Sequence, residues 1–403
     1  MMNLVFISPH FPAYFYNFCD RLKVRGVRVL GIGDENYENL PYHTKLALTE
    51  YYRVDDLEDY ESVYRACAYF TWHYGKIDWI ESQNEYWLEL EATLRNEFNV
   101  TTGTKIQDLA PMKYKSKMKA VYESVGIPTA RYRKVDDYLA TKAFANRVGY
   151  PVIVKPDNGV GASSTYKLKN DDELDYFFAT KPPYIQFIIE ELVPGHVETF
   201  DGVTDKDKNI LICSSHVMLN SIMDNVNELS DTAFYSQPIE GLDLYEIGKK
   251  VVEAFDTRSR FYHFEFFRLD EDKEGLGKKG DIVGLEVNMR APGAYMPDMI
   301  NFAYNVDVYT IWADMIKYNQ CFYDIHREYW VAYTGRREAI WYMHNYDQIR
   351  ETYGEQIALE TDVPEALSAA MGNHVFIVKS KSKDELFDMI RYILKREDGT
   401  DWF

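Results

Sequence analysis

The sequence predicts an open parallel α/β unit followed by a strand-rich α+β section. Three observations carry this. A strand, a helix and a second strand open the chain. Short strands and a hairpin then crowd the stretch from about residue 151 to 290. The 403-residue length leaves room for about two to three domains.

The first strand is NLVFIS at 3–8, the helix runs near 12–25 and stops at Gly26, and VRVLGI at 27–32 is the second strand. The turn after the first strand reads SPHFP, so the unit is Rossmann-like in shape but lacks the G-x-G-x-x-G dinucleotide fingerprint. Gly31-Ile32-Gly33 reads as a strand-end turn. Helices near 58–75 and 85–97 continue the unit to about residue 105.

A helix near 112–125 ends at Gly126-Ile127-Pro128, a stop signal. The strand at 151–155 runs into the loop DNGVGASST at 157–165 and the strand YKLK. Asn170 to Glu173 reads as a capping box that opens a helix to about 179. PYIQFIIEELV is a further strand, and strands near 197–204 and 209–218 form a hairpin about DKDKN. Residues 219–240 keep no period, which marks a functional or irregular segment. A helix near 243–256 precedes strands at 261–269 and 282–290. From about 325 the expected elements are strands near 339–342, 357–360 and 374–378 and a helix near 383–395.

Composition excludes several function classes. Lys and Arg number 45 against 64 Asp and Glu, a net charge of −19. Such a chain lacks the basic footprint of a general nucleic-acid binder or of a protein docking on an anionic membrane. The four cysteines are scattered, with no C-x-x-C, as expected of reduced thiols in a cytoplasmic protein. MMNLVFISPHF has no cationic leader, and no apolar run approaches a membrane span. The 33 tyrosines suggest nothing beyond mixed packing and hydrogen bonding.

The chemistry concentrates in the strand DIVGLEVNMR. Val283, Leu285, Val287 and Met289 form its apolar face, while Gly284, Glu286, Asn288 and Arg290 form the other. A carboxylate and an amide oxygen in one row suit a hard cation such as Mg²⁺, and a solvated ion-pair face is the alternative. The preceding strand, FYHFEFFRL, sets Glu265 among phenylalanines, a costly position unless the carboxylate is paired or metal-bound. His263 shares its face and reads as a core histidine with its hydrogen bonds met. Lys155 ends an apolar strand beside the Gly159–Thr165 loop, which reads equally as a phosphate cradle or a flexible hairpin. Lys113, Lys115, Lys117 and Lys119 alternate along a helix, where i,i+2 neighbours do not share a face, and solvated lysines are the expectation for three of the four. Glu190-Glu191 and Glu198 read, on their own, as solvated strand-end carboxylates.

In this order, MKYKSKMKAVYESVGIP, GYPVIVKPDNGVGASST, IIEELVPGHVETFDG, HFEFF and GLEVNMRAPGAYMPDMI resemble the ATP-grasp superfamily over about residues 112–300. The last motif looks most like the carboxylate–amine ligase branch. The resemblance implies an N-terminal Rossmann-like domain at 1–110 and an ATP-grasp domain at 111–320, whose two α+β lobes clamp ATP. The lid lobe would lie at about 128–192, and 321–403 would form a small C-terminal α+β extension. It also implies ATP and Mg²⁺, with Mn²⁺ as a substitute, and small carboxylate and amine substrates. Lys115 and Lys155 would contact phosphates under the loop that carries Gly159, Gly161, Ala162, Ser163 and Ser164. Glu190 would meet the adenine, with Glu191 and Val193 as hinge, and Glu198 the ribose. Glu265, Glu286 and Asn288 would hold the metal, and Arg290 would stabilise the acyl phosphate and transition state. Homodimers are common in that superfamily.

Two other readings share the grasp. A biotin carboxylase-like subunit is disfavoured by Ala-Pro-Gly-Ala-Tyr after Arg290, where that family carries a glutamate-containing motif. An ATP-grasp kinase would stop at the phosphorylated substrate. A regulatory nucleotide binder without turnover would have no use for Glu265, Glu286, Asn288 and Arg290 together.

Overall fold

The computed structural model describes residues 1–159, 164–220 and 230–399. The chain opens with β1 (Asn3–Ile7), α1 (Tyr16–Val24), β2 (Arg28–Gly33), α2 (Tyr42–Ala47), β3 (Glu50–Arg53), α3 (Tyr60–Tyr74), β4 (Trp79–Glu81) and α4 (Leu88–Glu97). The strands form a parallel sheet in the order β3-β2-β1-β4. β1 is buried on both faces, which is why it reads as an unbroken apolar run. Leu4 and Phe6 pack with Phe18 and Leu22 of α1, while Val5 and Ile7 pack with Val63, Cys67 and Phe70 of α3. The strand order reverses between β1 and β4, a switch point where the carboxyl ends of strands leave a crevice.

Two helices follow, α5 (Ala110–Lys113) and α6 (Lys115–Ser124). A second α+β unit then comprises β5 (Tyr132–Lys134), α7 (Tyr138–Val148), β6 (Val152–Pro156), β7 (Tyr166–Leu168), α8 (Asp171–Thr180) and β8 (Phe187–Glu191), the stretch expected to form the lid. Its antiparallel sheet has the order β5-β8-β6-β7. Val152, Val154, Phe187 and Ile189 pack against Phe144 of α7 and Leu174 and Phe177 of α8. By strand alternation, Lys155 and Glu190 lie on the opposite face, away from those helices. Asn170 caps α8 as expected, accepting from Glu173 N at 2.9 Å, but the Glu173 carboxylate reaches back to Lys169 N at 2.7 Å.

Leu192, Val193 and Pro194 join this unit to the third sheet. Its elements are β9 (Gly195–Thr204), β10 (Ile210–Met218), β11 (Thr232–Gln237), α9 (Asp243–Ala254), β12 (Arg260–Leu269), β13 (Ile282–Asn288), α10 (Met296–Tyr304), α11 (Val308–Tyr318), β14 (Trp330–Arg336), α12 (Tyr346–Tyr353), β15 (Ile357–Asp362), α13 (Glu365–Met371), β16 (His374–Ser380) and α14 (Lys383–Leu394). The order is β13-β12-β9-β10-β11-β14-β16-β15, so the C-terminal strands extend the same sheet.

Two sequence expectations change here. The strand expected near 339–342 is a turn with one bridge, Tyr342 to Arg396, and the strand lies at Trp330–Arg336. AIWYM is apolar but finds no strand to pair with, and Trp341 stays 79% exposed. The stretch 219–240 contains β11, paired with β10 and β14, while 221–229 lie outside the described residues.

Candidate active site

Four adjacent strands present polar side chains on one face of the large sheet. Thr199 and Asp201 come from β9, Ser214 and His216 from β10, His263 and Glu265 from β12, and Glu286 and Asn288 from β13. The register fixes this, pairing Asp201 with His263 and Ser214, and Glu265 with Glu286. Directly opposed carboxylates repel, so Glu265 and Glu286 need nearby positive charge.

Part of that charge is Lys115. Its Nζ lies 2.8 Å from Glu286 Oε1 and donates to the Gly159 carbonyl at 2.9 Å. Burial alone would lower the Lys115 ammonium, but Glu286 outweighs it and raises it. Further charge comes from His263, whose Nε2 is 3.0 Å from Glu265 Oε1 and whose Nδ1 is 2.5 Å from Asp201 Oδ1. Burial would lower that imidazole, but Asp201 and then Glu265 push it up to about 9.

Asn288 is buried, and its Oδ1 finds no hydrogen-bond partner among the described residues. An orphaned amide oxygen beside two facing carboxylates fits a hard divalent cation. No cluster of three or more His, Cys, Asp or Glu side chains suited to a metal occurs among the described residues, so the set is two carboxylates and an amide.

Strands β6 and β8 supply a second charged group. Glu190 is buried between Lys155 Nζ at 2.9 Å and Lys119 Nζ at 3.0 Å. Burial would raise its carboxyl, but the two ammoniums outweigh this and hold it at about 2. Two cations share one carboxylate, which leaves net positive charge. Asp157 ties this region to α6: it accepts from Ser116 N at 2.7 Å and Ser116 Oγ at 2.8 Å, capping a helix that has no cap of its own. Of the glycine-rich loop, Gly159 is half-buried and Ser164 is exposed with φ +58°, while Gly161, Ala162 and Ser163 lie outside the described residues.

Residues just past the carboxyl end of β4 complete the cluster. Glu85, buried, accepts from Arg290 Nη2 at 3.3 Å, and Gln83 Oε1 accepts from Ala291 N at 3.0 Å. Burial raises the Glu85 carboxyl and Glu286 adds to it, against Arg290 and Lys115. His10, in the loop after β1, sits 3.4 Å from Asp34. Tyr295, with φ +59°, packs on Tyr14 with ring centroids 5.2 Å apart.

The structure thus brings together Lys115, Gly159, Glu265, Glu286, Asn288 and Arg290, with Lys155 and Glu190 as a linked pair. It does not bring in Glu198. That residue pairs with Phe266 across β9 and β12, which sets it on the face opposite Glu265, and Arg268 holds it at 2.8 and 2.9 Å. The carboxylates at 190, 191 and 198 are buried rather than solvated. The Glu191 side chain accepts from Arg131 N at 2.8 Å and Nε at 2.9 Å, and its backbone N–H donates to the Arg131 carbonyl at 3.0 Å, next to buried Val193. Lys113 is also buried, paired with Glu89 at 2.9 Å, and Lys119 is buried on Glu190, so only Lys117 is a solvated lysine of the kind expected.

No family model matches the chain. An L-arginine-specific L-amino acid ligase of Bacillus subtilis is 24% identical over 270 residues, 64% of this chain and 62% of that protein. The chain therefore spans less than two thirds of that relative. Among solved structures, an L-amino acid ligase of Bacillus licheniformis superposes with a TM-score of 0.72 at 15% identity, covering 97% of this chain and 96% of that one. The chain has the ATP-grasp fold. A biotin carboxylase domain of the Hydrogenobacter thermophilus 2-oxoglutarate carboxylase, described as a dimer with MgADP, superposes at 0.69 and 15% identity over 97% and 89% of the chains. No helix among the described residues is long and apolar enough to cross a membrane.

Proposed function

We propose that this chain is an ATP- and Mg²⁺-dependent ligase that joins a small carboxylate, an amino acid or short peptide, to an amine. The observation that carries the reading is the meeting of Arg290 and Glu85 from two domains next to the Lys115–Glu286 pair. Cations and anions from the lid side, the large sheet and the switch-point crevice converge there. The L-amino acid ligases among its relatives support the substrate class.

In this reading a carboxylate oxygen attacks the γ-phosphorus of ATP and ADP leaves. An amine then attacks the acyl carbon and phosphate leaves, with one proton released. Lys115 and the excess charge of Lys119 and Lys155 about Glu190 offset the repulsion between two anions. Glu190 meets the adenine edge, with the backbones of Glu191 and Val193 as hinge. Glu265, Glu286 and Asn288 hold the cation, which when bound offsets charge on the transferring phosphoryl group. Arg290, two residues past the end of β13 and held against Glu85, faces the acyl phosphate in this reading. Glu198, held by Arg268 on the far face, has no part in this reading.

The test is a pooled-substrate assay. Amino acids and amines are incubated with ATP and Mg²⁺, and phosphate release and products are read together. A product lighter by one water than its two precursors, formed with equimolar phosphate, supports the ligase. A phosphorylated product without free phosphate makes it a kinase.

A further inference from the structure

Asp201 is fully buried and has three side-chain donors about it. Thr199 Oγ1 donates to Oδ2, His216 Nδ1 lies 2.7 Å from Oδ2, and His263 Nδ1 lies 2.5 Å from Oδ1. Nothing in the chemistry of nucleotide or substrate binding calls for this group, since it sits one strand inward from the cation site. A carboxylate buried in this way is costly and is kept only where its partners are fixed.

The other end of His263 explains it. The imidazole lies between two carboxylates, Asp201 at one nitrogen and Glu265 Oε1 at the other. It satisfies both only by donating from both nitrogens. Glu265 is thereby held through one oxygen, and its Oε2 is the oxygen left for a neighbour across the strand pair. That neighbour side carries Glu286, directly opposite, and Asn288, opposite His263 itself. His216 backs the same anchor: its backbone N–H donates to Thr199 Oγ1 at 3.0 Å, the hydroxyl that donates to Asp201.

We propose that Asp201 and His263 are positioning residues for the cation site, a buried array that fixes the orientation of Glu265 and sets the affinity for the divalent ion. The inference rests on the proposed reading of Glu265, Glu286 and Asn288 as the cation ligands. Outer partners of this type govern metal affinity by about 10- to 100-fold in well-studied sites. Neither residue touches nucleotide or substrate in this account, so their removal is felt through the metal.

The experiment is Mn²⁺ binding to the full chain in the presence of ADP, followed by electron paramagnetic resonance, for the wild type, Asp201→Asn and His263→Gln. ADP affinity without metal and the thermal midpoint are measured alongside. The expected result is a Kd for Mn²⁺ raised about 10- to 100-fold in both variants, with metal-free ADP affinity within about twofold of wild type. Unchanged Mn²⁺ affinity, or an equal loss of metal-free ADP binding, overturns the inference. Should both variants fail to fold, Thr199→Val decides, because it removes one hydroxyl from Asp201 at nearly constant volume. At least threefold weaker Mn²⁺ binding with unchanged ADP binding supports the array, and unchanged Mn²⁺ binding overturns it. A wild type that binds ADP but no Mn²⁺ overturns the cation reading beneath it as well.

Discussion

Lys115 and Glu286 stand 171 positions apart in the chain and 2.8 Å apart in the fold. The contact exists because α6 lies close against β13. Tyr122 of α6 donates to the Glu286 carbonyl at 3.1 Å, and Gly284 leaves room for its ring. The same helix sends Lys119, one turn on, to Glu190 of β8. A single helix therefore supplies a lysine to a carboxylate in each of two sheets.

Glu286→Gln removes a cation ligand and the partner of Lys115. Turnover with Mg²⁺ is expected to fall about 100-fold or more, with the fold kept and the thermal midpoint lowered, because buried Lys115 loses its carboxylate while Glu265 loses a repelling neighbour. Steady-state kinetics over a Mg²⁺ titration check this, and normal activity would remove the assignment.

Arg290→Ala is expected to lower kcat by about 100-fold with only a small change in ATP affinity, since the proposed function sets the guanidinium at the acyl phosphate and not at the adenine. Isothermal titration with a non-hydrolysable nucleotide separates the two quantities. Equal losses would make Arg290 a structural partner of Glu85.

Lys119→Met breaks a buried ion pair and leaves Glu190 with one ammonium. A stability loss of about 3–5 kcal/mol is expected from urea denaturation, because a buried carboxylate loses compensation. Lys117→Met, on the exposed side of the same helix, should change stability by less than about 0.5 kcal/mol. Similar effects of the two substitutions would contradict the buried role of Lys119.

The Glu190 carboxyl is held at about 2 against an ordinary 4.5. Its folded value is depressed, so its contribution is fully present above about pH 4.5 and is lost as pH falls toward about 2. The size is on the order of 3 kcal/mol. Denaturation of wild type and Glu190→Gln from pH 6 downward should show the wild type losing this excess stability below about pH 4.5, the variant lacking that component. A constant difference across that range would contradict the depressed carboxyl.

Gly284→Ala would set a Cβ 2.8 Å from the Tyr122 ring. Overpacking of this kind costs about 1–3 kcal/mol and should push α6 off β13. Activity is expected to fall with stability, because Lys115 moves with the helix. A variant as stable as wild type would show that the helix can shift freely.

Much of this was legible because it is local. The shared face of Glu286 and Asn288 follows from period two, and the register pairs them with Glu265 and His263, but a bulge between Glu265 and Phe266 turns Gly284 to the other face and the strand stops at Asn288, so the expected row from Gly284 to Arg290 is broken at both ends. Lys119 was also legible: it stands at i,i+4 from Lys115, the spacing that shares a face, whereas attention to i,i+2 hid it. Glu85 and Gln83 were not legible. They reach Arg290 and Ala291 across more than 200 residues, through a switch point whose strand order no local pattern encodes. The face of Glu198 depends in the same way on its pairing with Phe266. Nor did the apolar AIWYM stretch reveal that β14 and not itself would find a partner.

The central claim is that a carboxylate is activated through an acyl phosphate. The most direct measurement supplies carboxylate-¹⁸O amino acids with ATP, Mg²⁺ and amines, and follows the label by mass spectrometry. The account predicts one ¹⁸O in the released phosphate and the other in the amide product. Amide formed with unlabelled phosphate, or label retained in a stable phosphorylated acid, would contradict it.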